Sequence, residues 1–142
     1  MNAACLFVAG ALRAVVPAQD FTVAWMHSVA RTAWEERYRV EGSRLLLVQA
    51  RIQGSGAGMD PPPDAQFRDG WWTWRPSLAP LPAIRLTLSS FTRDYDLCWG
   101  GRCHRLAHLV AERRSNSNAS ARDRPIAEGT VVEIRPCARH HE

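Results

Sequence analysis

The sequence predicts an all-β protein, an antiparallel β-sandwich or small barrel with short loops and at most one short helix. Ten short runs alternate apolar and polar residues with period two, the spacing of side chains that share one face of a strand. Turn-forming residues, among them Gly10, Gly42 and the pair Gly100-Gly101, separate these runs at nearly even intervals. Helical periodicity is almost absent. Many short strands of this kind usually pack as a sandwich or barrel.

The individual elements follow from these runs and from the residues that interrupt them. Residues 60–64 and 76–82 are rich in proline, which cannot donate ladder hydrogen bonds, and are therefore predicted to be irregular connections. Apolar residues recur at helical offsets only in Leu106–Arg114, the one candidate helix. The predicted strands, in chain order, are Cys5–Ala9, Leu12–Val16, Phe21–Val29, Trp34–Val40, Arg44–Gln53, Gly70–Trp74, Ile84–Phe91, Tyr95–Trp99, Arg102–Leu106 and Thr130–Arg135.

A chain of 142 residues fits one domain, residues 1–142, with a core at about 5–110. Residues 111–126 are polar and low in complexity, which predicts a mobile loop. A return strand follows at 130–135, and the tail at 138–142 is expected to fray. The N-terminal residues superficially resemble a signal peptide, but Arg13 interrupts the apolar run, and two short strands explain it better.

Charge and composition narrow the function classes. All 18 basic residues are arginines, they are scattered, and the net charge is only +4. Nucleic-acid binders cluster their basic residues, so we expect no nucleic-acid partner. No stretch approaches the roughly 20 apolar residues that span a bilayer.

One histidine and one glutamate fall on the apolar faces of predicted strands. His27 follows Phe21, Val23 and Trp25 at period two, and Glu36 lies between Trp34 and Tyr38 at the same period. If the two strands form one hairpin, we expect His27 and Glu36 to lie within hydrogen-bonding distance. Such a pair can bind an anion, act as a general base or ligate a metal; it can also be a buried pair that only orders the hairpin.

A glycine-rich segment and a tryptophan cluster complete the predicted ligand site. Gly54, Gly56 and Gly58 permit close backbone approach to a ligand or a neighbouring strand, although no helix follows them to make a phosphate-binding loop. Trp72 and Trp74 share one strand face, opposite Trp71, and can wall a pocket or fill the core.

The four cysteines give an indication of the cellular compartment in which the protein lies. In a two-residue primed turn at Gly100-Gly101, Cys98 lies directly opposite Cys103, with α-carbons about 4.5 Å apart. This spacing favours a disulfide, with free thiols or a metal knuckle as alternatives. Cys5 and Cys137 pair if their strands are neighbours, and otherwise are buried thiols. A disulfide favours the periplasm over the cytoplasm.

Several motifs resemble those of a bacterial family, the domain-of-unknown-function 1850 family. They are His27-Ser28-Val29, Glu36 nine residues beyond the histidine, the run Gly56-Ala57-Gly58-Met59, and Gly70-Trp71-Trp72. The resemblance covers roughly residues 5–106. Genes of this family commonly neighbour those of TAXI-type TRAP transporters, which import small organic anions with an extracytoplasmic binding protein. The resemblance thus implies transporter context without implying a reaction.

We therefore expect a non-enzymatic accessory or ligand-binding domain, periplasmic or membrane-associated on the periplasmic side, without a cofactor. Its expected partners are the TRAP membrane subunit or the solute-binding protein, and a small carboxylate is the expected ligand. The alternatives are a hydrolase that depends on a metal or on His27 and Glu36, and a structural protein–protein interaction module. The hydrolase lacks a convincing nucleophile, because Ser28 points to the opposite face of its strand.

Overall fold

The computed structural model describes residues 2–26, 32–54, 61–89, 95–111 and 127–138. These residues are mostly in strands, which confirms the predicted all-β class. The elements are β1 (Ala4–Val8), β2 (Ala11–Val16), β3 (Asp20–Met26), β4 (Ala33–Glu41), β5 (Arg44–Gln53), β6 (Gln66–Arg68), β7 (Trp71–Trp74), β8 (Ile84–Thr87), β9 (Asp96–Trp99), β10 (Arg102–Arg105), α1 (Leu106–Leu109) and β11 (Val131–Pro136).

The strands form two antiparallel sheets. The large sheet has the order β10-β9-β3-β4-β5-β7-β6, and the small sheet has the order β2-β1-β11-β8. Over the described residues both sheets have open edges, so of the two predicted architectures the structure shows the sandwich-like one and not a closed barrel. No helix in the described part of the chain is long and apolar enough to cross a membrane.

The core lies between the two sheets and takes residues from both. Leu6 of β1 and Ile134 of β11 are fully buried, as are Phe21 of β3 and Leu45 of β5. They belong to one cluster, which also includes Leu106 of α1 and Val110 just after it. The alternating apolar positions of the sequence thus supply the facing surfaces of the two layers.

Strand β5 keeps its apolar face inward by means of a bulge. Arg37 pairs with Gln49 whereas Tyr38 pairs with Leu47, so Val48 is an extra residue. Leu45 is buried before the bulge, and Ala50 and Ile52 are buried after it. An extra residue changes which parity of positions faces the core. The bulge therefore fits a sequence whose apolar positions change from odd to even.

Some predicted bounds were wrong. None of the predicted strands corresponds to β6, which pairs with β7 through a tight turn at Asp69-Gly70, where both residues have positive φ. Strand β8 ends at Thr87 and not at residue 91, and α1 ends at Leu109 and not at residue 114. The return strand begins at Val131. Most of the predicted polar loop (residues 112–126) and most of the tail (139–142) lie outside the described residues.

Candidate functional site

Glu36 lies on the core-facing side of the large sheet. Its direct neighbours across the strands are Val23 on β3 and Ala50 on β5, both of which are buried. Glu36 itself is half-buried. A carboxylate in apolar surroundings needs a donor, because burying it without one is costly.

Tyr38 supplies that donor. Its hydroxyl group donates a hydrogen bond of 2.8 Å to Oε2 of Glu36, two residues earlier on the same face of β4. The Tyr38 ring is buried and stacks on Phe21, with the ring centroids 5.6 Å apart. Burial, and then the neighbouring Glu36 carboxylate, raise the pKa of Tyr38 well above its usual range. Tyr38 therefore stays a neutral donor, which fixes the orientation of the Glu36 carboxylate.

A line of aromatic side chains occupies the next position along the strands, further from the core. We call Tyr95, Trp25, Trp34, Trp72 and Phe67 the aromatic row. Trp25 pairs with Trp34, Trp34 with Ile52, Ile52 with Trp72, and Trp72 with Phe67.

The rings of the aromatic row are in contact at both ends. Trp25 stacks on Trp34 with centroids 5.9 Å apart, and Tyr95 tilts against Trp25 at 6.0 Å. Phe67 and Trp72 are 4.9 Å apart. Phe67 is 56% exposed and the tryptophans are half-buried, so the row forms an apolar surface that is partly open to solvent, although Trp25 and Tyr95 also pack against the core cluster.

Only some residues of the predicted ligand site are among those that the structure describes. His27, Gly56 and Gly58 lie outside the described residues, whereas Glu36, Gly54 and Trp72 lie within them. The described part of the β3–β4 hairpin ends at the Met26–Ala33 pair, and the Trp25–Trp34 pair lies between that end and Glu36. A hydrogen bond between His27 and Glu36 therefore stays a prediction. Gly54 is exposed, has a φ of 112°, and donates its N–H to the carbonyl of Gly70 at 3.1 Å.

The opposite face of the large sheet carries a small hollow that sequence reasoning missed. Ala24 lies directly between Glu35 on β4 and Asp96 on β9, and its short side chain leaves a hollow of about 220 Å³. Arg105 also lines it. Arg51 reaches Glu35 at 2.6 Å. A sequence signal for this hollow existed: the alternation that places Glu36 on the core-facing side also places Glu35 on the opposite face.

The two cysteine pairs considered from the sequence are both disulfides in the structure. Cys98 pairs directly with Cys103 across the β9–β10 hairpin, with α-carbons 4.0 Å apart. Gly100 and Gly101 both have positive φ, as a primed turn requires. Cys5 of β1 bonds to Cys137, just after β11, because these strands are antiparallel neighbours. Among the described residues, no three His, Cys, Asp or Glu side chains are grouped closely enough to hold a metal ion.

One comparison with known proteins gives a match. Residues 21–106, more than half of the chain, match the profile of a family described as a domain of unknown function, DUF1850. The matched region runs from β3 to the first residue of α1, so it contains Glu36, Tyr38 and every residue of the aromatic row. No curated protein and no solved structure is significantly similar to this chain.

Proposed function

From the premise that the chain belongs to the DUF1850 family, we propose that it is a non-enzymatic accessory domain of a TAXI-type TRAP transporter. In this role it lies outside the cytoplasm and contacts the membrane subunit or the solute-binding protein that delivers small organic anions. Support for the transporter context comes from the family's gene neighbourhood. Support for a contact role comes from the large sheet.

The observation that carries this proposal is the aromatic row. Tryptophan, tyrosine and phenylalanine are enriched in protein interfaces, where a large rigid ring buries much area at low entropic cost. Here five such side chains lie in one row across the strands, with Ile52 between Trp34 and Trp72, and Trp34 and Trp72 lie outside the buried core cluster. A partner that covers the row would bury this apolar surface.

The compartment in the proposal is supported by the cysteines. All four cysteines of the chain are paired in two disulfides. Disulfides persist in oxidising environments, such as the bacterial periplasm, and are rare in the cytoplasm. The periplasmic side of the membrane is also where a TRAP solute-binding protein meets its membrane subunit.

The charge next to the aromatic row favours a protein contact over direct carboxylate binding. On the core-facing side of the described large sheet, Glu36 is the charged group next to the row. A carboxylate ligand placed there would be repelled by Glu36 unless a cation intervened. His27, as an imidazolium, is the candidate cation, and the amides of Gly56 and Gly58 are candidate hydrogen-bond donors; the N–H of Gly54 is already donated to Gly70. Carboxylate binding is therefore tested separately.

The test compares two tryptophans on opposite faces of the same sheet. The tagged domain is produced with the transporter subunits encoded beside it, and co-purification is quantified for wild type, Trp34→Ala and Trp71→Ala. Trp34 belongs to the aromatic row, whereas Trp71 lies on the other face beneath the guanidinium of Arg51, 4.2 Å from its ring centroid. We expect Trp34→Ala to weaken binding about 30-fold or more, as an interface hot spot does, and Trp71→Ala to leave it nearly unchanged.

Two results would overturn the proposal: no subunit co-purifies with the wild type, or both variants bind as the wild type does. Circular dichroism of each variant checks that the fold is intact. Thermal-shift measurements with small carboxylates, on wild type and His27→Ala, address the ligand arm. Stabilisation of the wild type alone would assign direct carboxylate binding to this domain.

A further inference from the structure

The two disulfides differ in exposure. Cys5 is only 7% exposed, whereas its partner Cys137 is half-buried and lines a hollow of about 400 Å³; their disulfide closes a loop of 132 residues. Cys103 is exposed, Cys98 is half-buried, and their disulfide spans only five residues at the tip of a hairpin. Access of an attacking thiolate to sulfur is one of the factors that set the rate of thiol–disulfide exchange.

Charged groups surround the exposed pair. Arg102 precedes Cys103 in the chain and lies on the opposite face, whereas Arg105 follows Cys103 by two residues on the same face of β10. Asp96 is the hairpin's carboxylate on this face and lies directly opposite Arg105; Asp20 of the neighbouring strand β3 shares the face but is paired with Arg37 and Arg39. The hairpin from Asp96 to Arg105 therefore carries one more positive than negative formal charge, from two arginines against one aspartate. Positive charge near a cysteine stabilises its thiolate, and a more stable thiolate leaves faster.

The hairpin has other interactions that hold it together once the disulfide opens. Trp99 stacks on His104 across the two strands, with ring centroids 4.4 Å apart, on the face opposite the cysteines. Strand β9 is also paired with β3 from Thr22 to Ala24. After reduction, Cys98 and Cys103 would still lie opposite each other and could pair again.

We propose that Cys98–Cys103 is an exchangeable disulfide that accepts electrons from a dithiol, whereas Cys5–Cys137 is a structural one. A thiolate of the dithiol attacks Sγ of Cys103, and the Cys98–Cys103 bond breaks as a mixed disulfide forms. Cys98 leaves as a thiolate and takes up a proton. The second thiol of the dithiol then attacks the mixed disulfide and releases Cys103. The dithiol ends as a disulfide, and the hairpin ends with two thiols.

The test uses the structural disulfide as an internal control. The folded protein is treated with increasing dithiothreitol, free thiols are alkylated, and the modified cysteines are identified by peptide mass spectrometry. We expect Cys98 and Cys103 to be alkylated at least about tenfold faster than Cys5 and Cys137, while the near-ultraviolet circular dichroism keeps its folded signature. In guanidinium chloride, where access is equal, the difference should shrink to about threefold or less.

Charge variants test whether the neighbouring charges affect the rate at which the hairpin disulfide is reduced, or whether solvent exposure alone sets that rate. Arg105→Gln should slow reduction of the hairpin disulfide about two- to threefold at low salt, and Asp96→Asn should accelerate it by a similar factor, because each charge acts over about 7 Å. High salt should remove both effects. Equal reduction of the two disulfides in the folded protein, or loss of the folded signature as the hairpin opens, would overturn the proposal. If both variants react at the wild-type rate, the hairpin is exchangeable through exposure alone, and the proposed role of the charges is refuted.

Discussion

Removing the disulfide between Cys5 and Cys137 should destabilise this protein far more than removing the one in the hairpin. A disulfide restricts the unfolded chain, and the restriction grows with the length of the loop that it closes. A separation of 132 residues corresponds to about 5 kcal/mol in the free energy of unfolding, the upper end of the observed range. A separation of five residues corresponds to about 2 kcal/mol.

The measurement is urea denaturation of three proteins: the wild type, the double variant Cys5→Ala with Cys137→Ala, and the double variant Cys98→Ala with Cys103→Ala. The difference of about 3 kcal/mol should appear as a urea midpoint lower by about 1–3 M for the first variant than for the second. Lost packing at the buried Cys5 acts in the same direction, by about 1 kcal/mol at most. Equal loss of stability in the two variants, or a larger loss from the hairpin pair, would refute the argument from loop length.

Three further predictions concern single side chains. Tyr38→Phe removes the hydrogen bond to Glu36 and should lower the free energy of unfolding by about 1 kcal/mol, an effect that should vanish in a Glu36→Leu background, which has no acceptor, if the bond is the cause. Burial alone would raise the pKa of Asp20, but hydrogen bonds from two arginines outweigh it and lower the pKa below 3.8; this carboxylate therefore stabilises the fold above about pH 4, and the benefit is lost as the pH falls through the lowered value. Acid titration of Asp20→Asn should accordingly show a weaker loss of stability below pH 4 than the wild type, and an equal loss would contradict the shift. Gly101→Ala should cost about 1 kcal/mol through its φ of +79° alone, because a β-carbon there would meet nothing within 4 Å; Gly101→Asn should cost less, and equal costs in urea denaturation would exclude a backbone cause.

The fold class was predictable because apolar and polar residues alternate along the strands and glycines mark the turns. Period-two alternation in β3 and β4 identifies which side chains face the core, and the Gly100-Gly101 pair identifies a hairpin. Strand β6 was missed because three residues show no alternation, although Asp69-Gly70 is itself a signature of a primed turn.

The bulge at Val48 was also missed, although it leaves a trace in the sequence. All four residues from Leu45 to Val48 are apolar, so alternation of apolar and polar residues does not reveal which of them is the extra residue of the bulge. The change of parity, from Leu45 to Ala50 and Ile52, becomes meaningful only when the pairing with β4 is known.

The candidate site was less predictable than the fold. Alternation identified Glu36 as facing inward, but not its hydrogen bond with Tyr38, because period two does not give side-chain rotamers. The aromatic row depends on the registers of several strand pairs at once, and those registers are not encoded in any one strand. The pairing of Cys5 with Cys137 likewise required knowing that β1 and β11 are neighbours.

The bond between Cys5 and Cys137 has a consequence for proteolysis. It turns nearly the whole polypeptide into a covalent ring. A protease that cuts one peptide bond between these two cysteines therefore opens the ring without releasing a fragment. The nicked protein keeps its full mass on a non-reducing gel, and only a reductant that reaches this bridge separates the pieces.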